Sequence, residues 1–353
     1  MRHSLASLGL ILVLAPGCSF LRSQPPGPPT MYAHFINVGQ ADATLLEFPC
    51  GAILIDAGAQ DDASVDTLVE YLGDFFEDRP DLNKTLESII VTHNHIDHTR
   101  ALRRIVETFT VKRYIDTGQN QGTGTGNPNW VRSVAAARNI IVRTIMDTAV
   151  AAVDSGLTGA DIDPVSCQDC DPRIRILSGQ LTENPGWSHS EFDNKNNHSL
   201  VLRIDFGESS FLFTGDLEEA AIDDLVSRTD STLLDVDVYQ VGHHGSHNGT
   251  TAGLLQAMGP EIAVFSVGRW DYGFQTENRF TTWHYGHPRK VVVDLISVAL
   301  SKYRSDPVDV KVAVAARDFV DYTVRKRIYA TAWDGTVKIR ARLDESFRVT
   351  RNN

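Results

Sequence analysis

Cysteine is scarce in this chain of 353 residues, which carries four. Cys18 closes the N-terminal apolar stretch, so Cys50, Cys167 and Cys170 remain for the body. Three thiols are too few for a disulfide-dense scaffold. "CQDC" at 167–170 has no second Cys-x-x-Cys to complete a zinc knuckle, and no thioredoxin-like context for redox catalysis. Outside the cytoplasm, a structural disulfide between two of the three is expected, with one thiol left over. The pattern does not say which.

Basic charge is in deficit: 33 Lys and Arg face 45 Asp and Glu, for a formal net charge of -12. That argues against a protein that tracks nucleic acid through a basic face. It leaves a phosphodiester substrate open, because bound metal can supply local positive charge. Long apolar runs are missing too. After the N-terminal segment none approaches the roughly 20 residues of a membrane-spanning helix. There is no repeat of fixed period and no low-complexity tract beyond residue 30. Hydrophobic residues make up 42% and charged residues 22%, the balance of a soluble globular body with a sizeable core.

The chain opens "MRHSLASLGLILVLAPGCSF". Arg2 gives a positive start, and Leu5 to Leu14 is apolar but too short to span a membrane, the pattern of a secretory signal. "LAPGC" is similar to a bacterial lipobox, although Leu14 stands four residues before Cys18 where three is usual. Residues 1–17 are therefore expected to be a lipoprotein-type signal peptide, with a lipid anchor on Cys18; plain secretion is the alternative. "LRSQPPGPPT" completes a Pro-rich tether over 18–30, and a globular domain is expected over 31–353.

Within that body, "AHFINV", "ATLLEF" and "AILIDAG" read as strands, the last two joined in a hairpin at "PCG". Residues 64–79 place Val65, Leu68, Val69, Leu72, Phe75 and Phe76 on one helical face. "SIIVTH" and "VKRYIDTG" are buried-type strands, 118–129 a Gly- and Asn-rich loop, "WVRSVAAARN" a helix and 150–172 an irregular excursion. "SLVLRIDFG" and "SFLFTGD" form a hairpin; "DVDVYQVGHHGS" and "EIAVFSVG" are strands. "KVVVDLISVALSKY" is helical, and "RIYATAWDGTVKIRARL" is expected to be a closing hairpin turned at "WDG". Helices alternate with strands, yet hairpins are plentiful. Mixed sheets covered by helices follow, not a purely parallel sheet.

Four apolar runs end in metal-ligand residue types. Asp56 follows "AILI"; His93, His95, Asp97 and His98 follow "SIIV"; Asp216 follows "SFLFTG"; His243 and His244 follow "DVYQVG". Convergence of strand ends would put them in one cleft on rigid supports. Imidazole and carboxylate are donors suited to zinc, manganese or iron. His93 and His95 can share one ion, Asp97 and His98 can reach a second, and a carboxylate such as Asp216 can bridge the two. Such a pair can hold a hydroxide and clamp a scissile centre. "GHHGS" is no Gly-x-Ser-x-Gly nucleophile elbow. His34, His189 and His284 have nothing nearby to fix them as ligands.

"HNHIDH" resembles the His-x-His-x-Asp-His signature of the metallo-β-lactamase superfamily. "INVGQADATLLEFP", "ILIDAG", "NNHSLVLRIDFG", "SFLFTGD", "VYQVGHHGS", "FSVG", "YGHP" and "IYATAWDGTV" resemble, in order, blocks of the metallo-β-lactamase-like domain of ComEC-type competence (DNA-uptake) proteins. The resemblance implies an α+β four-layer αββα sandwich of two mixed sheets flanked by helices. It implies two divalent ions (Zn2+ or Mn2+), one on His93 and His95, the other on Asp97 and His98, bridged by Asp216. One histidine of "GHHGS" would complete the second site, with His243 preferred over His244. Asp97 and Asp56 would carry the catalytic roles, Asp56 by orienting ligands. His198 in "NNHS" is a ligand, a substrate contact or a turn residue. Ser246 and His287 are candidate substrate contacts. The family's "VGQGD" reads "VGQAD" here, with Ala41, and "RWDYGFQTENRFTTWH" before "YGHP" departs from the pattern.

The expectation is an exported binuclear hydrolase of phosphodiesters, acting on nucleic acid or on an envelope polymer or head group, tethered in the bacterial cell envelope without the channel segments of ComEC. Hydrolysis of a lactam or lactone is the rival enzyme reading. A non-catalytic metal-binding module of an envelope or DNA-uptake assembly is the rival from another class.

Overall fold

Alternation of side chains along the strands decides the layering. The computed structural model describes residues 29–352; the expected signal peptide, Cys18 and nearly all of the expected tether lie outside them. In β1 (Thr30–Phe35), β2 (Thr44–Phe48) and β3 (Gly51–Ile55), Met31, Ala33, Phe35, Leu46, Phe48, Ile53 and Ile55 point into a central core. Leu45, Ala52 and Leu54 point the other way, into a core shared with helices. Both sets are buried, so these strands read as near-continuous apolar runs. The sheet continues with β4 (Ser88–Ile90), β5 (Arg113–Asp116) and β6 (Ile141–Thr144), each parallel to the strand before it.

A second sheet is built from β7 (Arg173–Ser178), β8 (Val201–Phe206), β9 (Ser209–Phe213), β10 (Val238–Gln240) and β11 (Ile262–Phe265). A separate hairpin follows, β12 (Tyr303–Ala315) and β13 (Asp318–Lys326). Then β14 (Ile328–Ala330) joins the second sheet, while β15 (Thr336–Arg342) and β16 (Phe347–Asn352) return to the first. The strand orders are β16-β15-β1-β2-β3-β4-β5-β6 and β14-β11-β10-β9-β8-β7, and both sheets are mixed. Their inner faces meet in the central core, where Phe35 of one sheet stacks on Phe213 of the other with centroids 6.2 Å apart.

Helices cover both outer faces. α1 (Asp62–Asp78) begins at Asp61, whose carboxylate accepts from the Ser64 N–H at 2.9 Å. Its predicted apolar stripe is the face it buries, with Val69 only partly covered. α2 (Leu102–Thr108) and α3 (Gly126–Arg138) pack beside it on the first sheet. α4 (Glu219–Arg228), α5 (Ala252–Met258) and α6 (Lys290–Ala299) bury Ile222, Leu225, Leu254, Met258, Val293 and Ile296 against the second. The result is the expected helix–sheet–sheet–helix sandwich.

Three local expectations need correction. α3 starts inside the stretch read as a loop. The helix read through Tyr303 stops at Ala299, and the hairpin β12–β13 follows. The closing segment is no hairpin, because its two strands belong to different sheets. A helical turn, Thr331–Asp334, carries the chain from one to the other. Asp334 fixes that turn: it is buried, accepts from the Ala330 N–H at 3.2 Å, and pairs with the buried Arg304 at 2.6 Å. "WDG" therefore marks a crossing between layers.

The excursion expected over 150–172 is irregular apart from Val150, which ends a short helix begun at Asp147; the rest contains no helix and one isolated bridge, Leu157 to Ile176. It is tied down by a disulfide between Cys167 and Cys50, the latter in the β2–β3 turn, and Cys170 is the free, buried thiol.

Candidate metal centre

β3 and β4 are parallel in the first sheet, and β9 and β10 are parallel in the second. Their C-terminal ends open onto one cleft. Asp56 leaves β3 with φ 55°, a left-handed conformation that Asp tolerates better than most residues. Its carboxylate accepts from the Thr92 N–H at 2.7 Å and the Thr92 hydroxyl at 2.8 Å. After β4 the chain passes His93 and His95, then makes a helical turn, Ile96–Thr99, that presents Asp97 and His98. This loop is pinned from behind: the Asp42 N–H donates to Asp97 O at 3.0 Å and the Ala57 N–H to His98 O at 2.9 Å. A Cβ on Gly58 would lie 1.6 Å from Asp97 O, so only glycine permits that approach.

Two clusters form around Asp216. In one, His93 Nε2 lies 3.1 Å from His95 Nδ1 and 3.7 Å from Asp216 Oδ2. In the other, His98 Nε2 lies 3.2 Å from Asp216 Oδ1, and His244 Nε2 lies 3.4 Å from Asp97 Oδ2 and 3.8 Å from Asp216 Oδ2. A tetrahedral zinc with ligands at about 2.0–2.1 Å separates them by about 3.3 Å. The observed separations bracket that value. His98 Nε2, His244 Nε2 and Asp216 Oδ1 are buried and make no hydrogen bond. A buried polar atom left unsatisfied costs about 1–3 kcal/mol; protons on the two imidazoles can offset that cost by pairing them with the carboxylates, and a divalent cation would engage all three atoms. The opposite ring nitrogens are held: His98 Nδ1 by Asp56 at 2.8 Å, His244 Nδ1 by the Ser266 carbonyl at 2.8 Å. Those bonds leave Nε2 of each ring for a metal. The residues fit the pair of ions that the sequence implies.

The electrostatics agree. Burial alone would lower His98, but Asp216 and Asp56 outweigh it and hold the ring well above its usual range. His244 is pushed up to about 9 in the same way, burial being overcome by Asp216 and Asp97. Burial lowers His93 and His95, leaving them neutral and ready to bind. Asp216 and Asp97 sit below the usual carboxylate range, since the neighbouring imidazoles overcome their burial. In the metal-free protein, protons on His98 and His244 thus compensate the carboxylates that a cation would otherwise neutralise.

Asp56 lies under His98, buried, and orients ligands without reaching the cleft. His243 does not complete the second cluster. Consecutive left-handed backbones at His243 and His244 (φ 51° and 52°) drop His244 into the cluster and keep His243 at its rim. There, His243 Nε2 is 3.7 Å from Asp216 and Nδ1 is 3.6 Å from Glu218. His198 belongs to neither cluster: its Nε2 donates to Phe192 O at 2.7 Å and its Nδ1 accepts from the Leu181 N–H at 3.3 Å. The cleft-facing residue of that turn is Asn196, which donates to Glu218 at 2.9 Å. Ser246 turns away, donating to Asn248 at 2.7 Å. His287 does line the cleft.

Sequence reasoning missed Asp42. It is buried, accepts from Gln240, and lies 3.8 Å from His244 Nδ1, close enough to join the His98–Asp216–His244 cluster. Burial pushes its carboxyl up to about 6. Its signal was present in the "VGQAD" block. The cleft measures about 240 Å³, and Asp97, Asp216, Arg100, Tyr285 and His287 meet in its walls.

The profile of the metallo-beta-lactamase superfamily matches residues 36–269. Recombination protein 2 of Haemophilus influenzae is 45% identical over 76 residues, 22% of this chain and 9% of that protein. ComE operon protein 3 of Bacillus subtilis is 27% identical over 271 residues, 74% of this chain and 30% of that protein. The chain thus spans less than a third of the length of these relatives. Among solved structures, CmlA, a diiron β-hydroxylase from Streptomyces venezuelae, aligns with 78% of this chain and 51% of its own at 16% identity and a TM-score of 0.43, too loose a likeness to bear on chemistry. The profile match, together with the αββα layers and the cluster at the strand ends, leads to one assignment: this chain belongs to the metallo-beta-lactamase superfamily.

Proposed function

We propose that this protein is an exported, binuclear, metal-dependent hydrolase of phosphodiesters. The observation that carries the reading is the shared carboxylate: Asp216 faces His93 and His95 on one side and His98 and His244 on the other, with buried ligand atoms that make no hydrogen bond. Two divalent ions there would supply an activated water and neutralise charge on the departing oxygen. The chain's own residues supply the frame. Asp56 and Ser266 set the ring orientations of His98 and His244, and Gly58 lets the loop bearing Asp97 pack closely. Arg100, Tyr285 and His287 line the cleft beside Asp97 and give a polar wall suited to an anionic tetrahedral centre.

The names of the competence and recombination relatives support a nucleic-acid or related phosphodiester substrate over a lactam or lactone. The Cys50–Cys167 disulfide supports an oxidising compartment. Among the described residues no helix is long and apolar enough to cross a membrane; the proposed attachment is the lipid anchor on Cys18 in "LAPGC". The test is a parallel panel of a single-stranded oligonucleotide, an activated small phosphodiester, a lactam and a lactone, with zinc or manganese, for the wild type and Asp97→Ala. Phosphodiesters should turn over in the wild type only, with a loss on the order of 10²-fold or more in the variant. Metal-loaded protein that leaves every phosphodiester intact sinks the proposal.

A further inference from the structure

His287 is the cleft residue whose hydrogen bonding decides what it offers a substrate. Its Nδ1 lies 3.1 Å from Gln40 Nε2. Gln40 is buried, and the orientation of its amide is set from the other end. The Gly268 backbone N–H, which can only donate, faces Gln40 Oε1 at 3.5 Å, and the Thr282 hydroxyl donates to the same oxygen at 3.1 Å. Reversing the amide would set its NH2 against that N–H, donor to donor. The packing allows no slack: a Cβ on Gly268 would lie 2.5 Å from Thr282 Oγ1 and 2.8 Å from Gln40 N. The amide therefore donates to His287 Nδ1. A neutral imidazole that accepts at Nδ1 carries its proton on Nε2. Among the described residues, Nε2 has no hydrogen-bond partner, and it is not among the atoms sealed from solvent. The ring itself stacks near-parallel to Tyr285, with centroids 5.4 Å apart, and to His244, with centroids 6.3 Å apart.

We propose that Gln40, held by Thr282 and Gly268, is a positioning residue that fixes His287 as the Nε2–H tautomer, making it a neutral donor in the wall of the cleft for a non-bridging oxygen of an anionic substrate. Nδ1 is committed to Gln40, so the ring presents one N–H and no acceptor. It binds an anionic oxygen and cannot serve as a base. The substrate half of this inference rests on the phosphodiester reading; the tautomer half does not.

The test is nitrogen NMR of the zinc-loaded full chain carrying 15N-labelled histidine, with the His287 signals assigned by their loss in His287→Gln. The wild type should show Nδ1 unprotonated and Nε2 protonated at neutral pH. Gln40→Glu replaces the donor with an acceptor and should move the proton to Nδ1. A wild-type His287 protonated at Nδ1 overturns the proposal, and this is read without turnover, so it is separate from any failure of the phosphodiester reading. In hydrolysis, His287→Phe should lower kcat/KM by about 10–100-fold, while His287→Gln, which keeps a side-chain N–H, should recover part of the loss. Equal losses in the two variants would overturn the assigned contact.

Discussion

Asp56 Oδ2 and His98 Nδ1 face each other at 2.8 Å in a site closed to solvent, and the far nitrogen of the same ring looks onto Asp216. The carboxylate fixes which nitrogen of His98 faces Asp216. Asp56→Asn is the informative change, because Asn tolerates the left-handed backbone at this position about as well as Asp. Metal affinity should fall about 10–100-fold with little change in fold. Unaltered affinity in a metal titration would show that the contact is merely structural.

Asp216 is common to both clusters, whereas His95 belongs to one. Asp216→Asn should therefore lose metal at both sites, and His95→Ala at one. Elemental analysis should rank the proteins at about two ions for the wild type, one for His95→Ala and fewer than one for Asp216→Asn. An Asp216→Asn protein that retains both ions contradicts the shared carboxylate.

Metal binding should release protons. His98 is held above its usual range and His244 is raised to about 9, so both are charged at pH 7 without metal. Both must be neutral to bind through Nε2, so about two protons should leave on loading. The sign follows: affinity falls as pH drops, because protons compete for the same nitrogens. The raised values also stabilise the metal-free fold most below about pH 6.5, a contribution lost as pH climbs towards 9. The difference in Tm between loaded and metal-free protein should therefore widen over that range. Calorimetry in two buffers of different ionisation enthalpy measures the released protons, and identical heats would refute the prediction.

The Cys50–Cys167 disulfide sits at the opposite end of β3 from Asp56, about 20 Å away along the strand. Replacing both cysteines with serine should cost about 2–4 kcal/mol of stability in denaturant unfolding. Metal content and activity at 25 °C should be retained. Loss of metal in a still-folded double variant would mean that the excursion shapes the site.

What was legible in the sequence was local. The short apolar runs of β1 to β3, the stripe of α1 and the spacing of "HNHIDH" each depend on neighbours within a few residues, and all appear in place. Long-range contacts were not legible. His243 and His244 are adjacent and chemically identical, and only two successive left-handed residues decide which one enters the cluster. His198 and Asn196 share one short turn, and packing under Phe192 takes the histidine away from the cleft. Asp42 has no local pattern of ligand-type residues to mark it, since its partners Gln240 and His244 come from the other half of the chain. "WDG" has the composition of a hairpin turn, but the buried Arg304 makes its aspartate the pin of a crossing between sheets.

That crossing has a consequence for how the chain is made. β1 pairs with β2 on one side and with β15 on the other, so residues 30–35 wait for residues 337–342. Until residues 337–342 have been released, the first strand keeps an open edge, and the sheet that carries "HNHIDH" is incomplete on that side. Such distant pairing makes folding slow, and an open strand edge invites association with other chains. A chain truncated after β14 would retain every metal ligand and still expose that edge. The final seventeen residues of the described fold, from Thr336 to Asn352, thus act as a late latch on the first sheet.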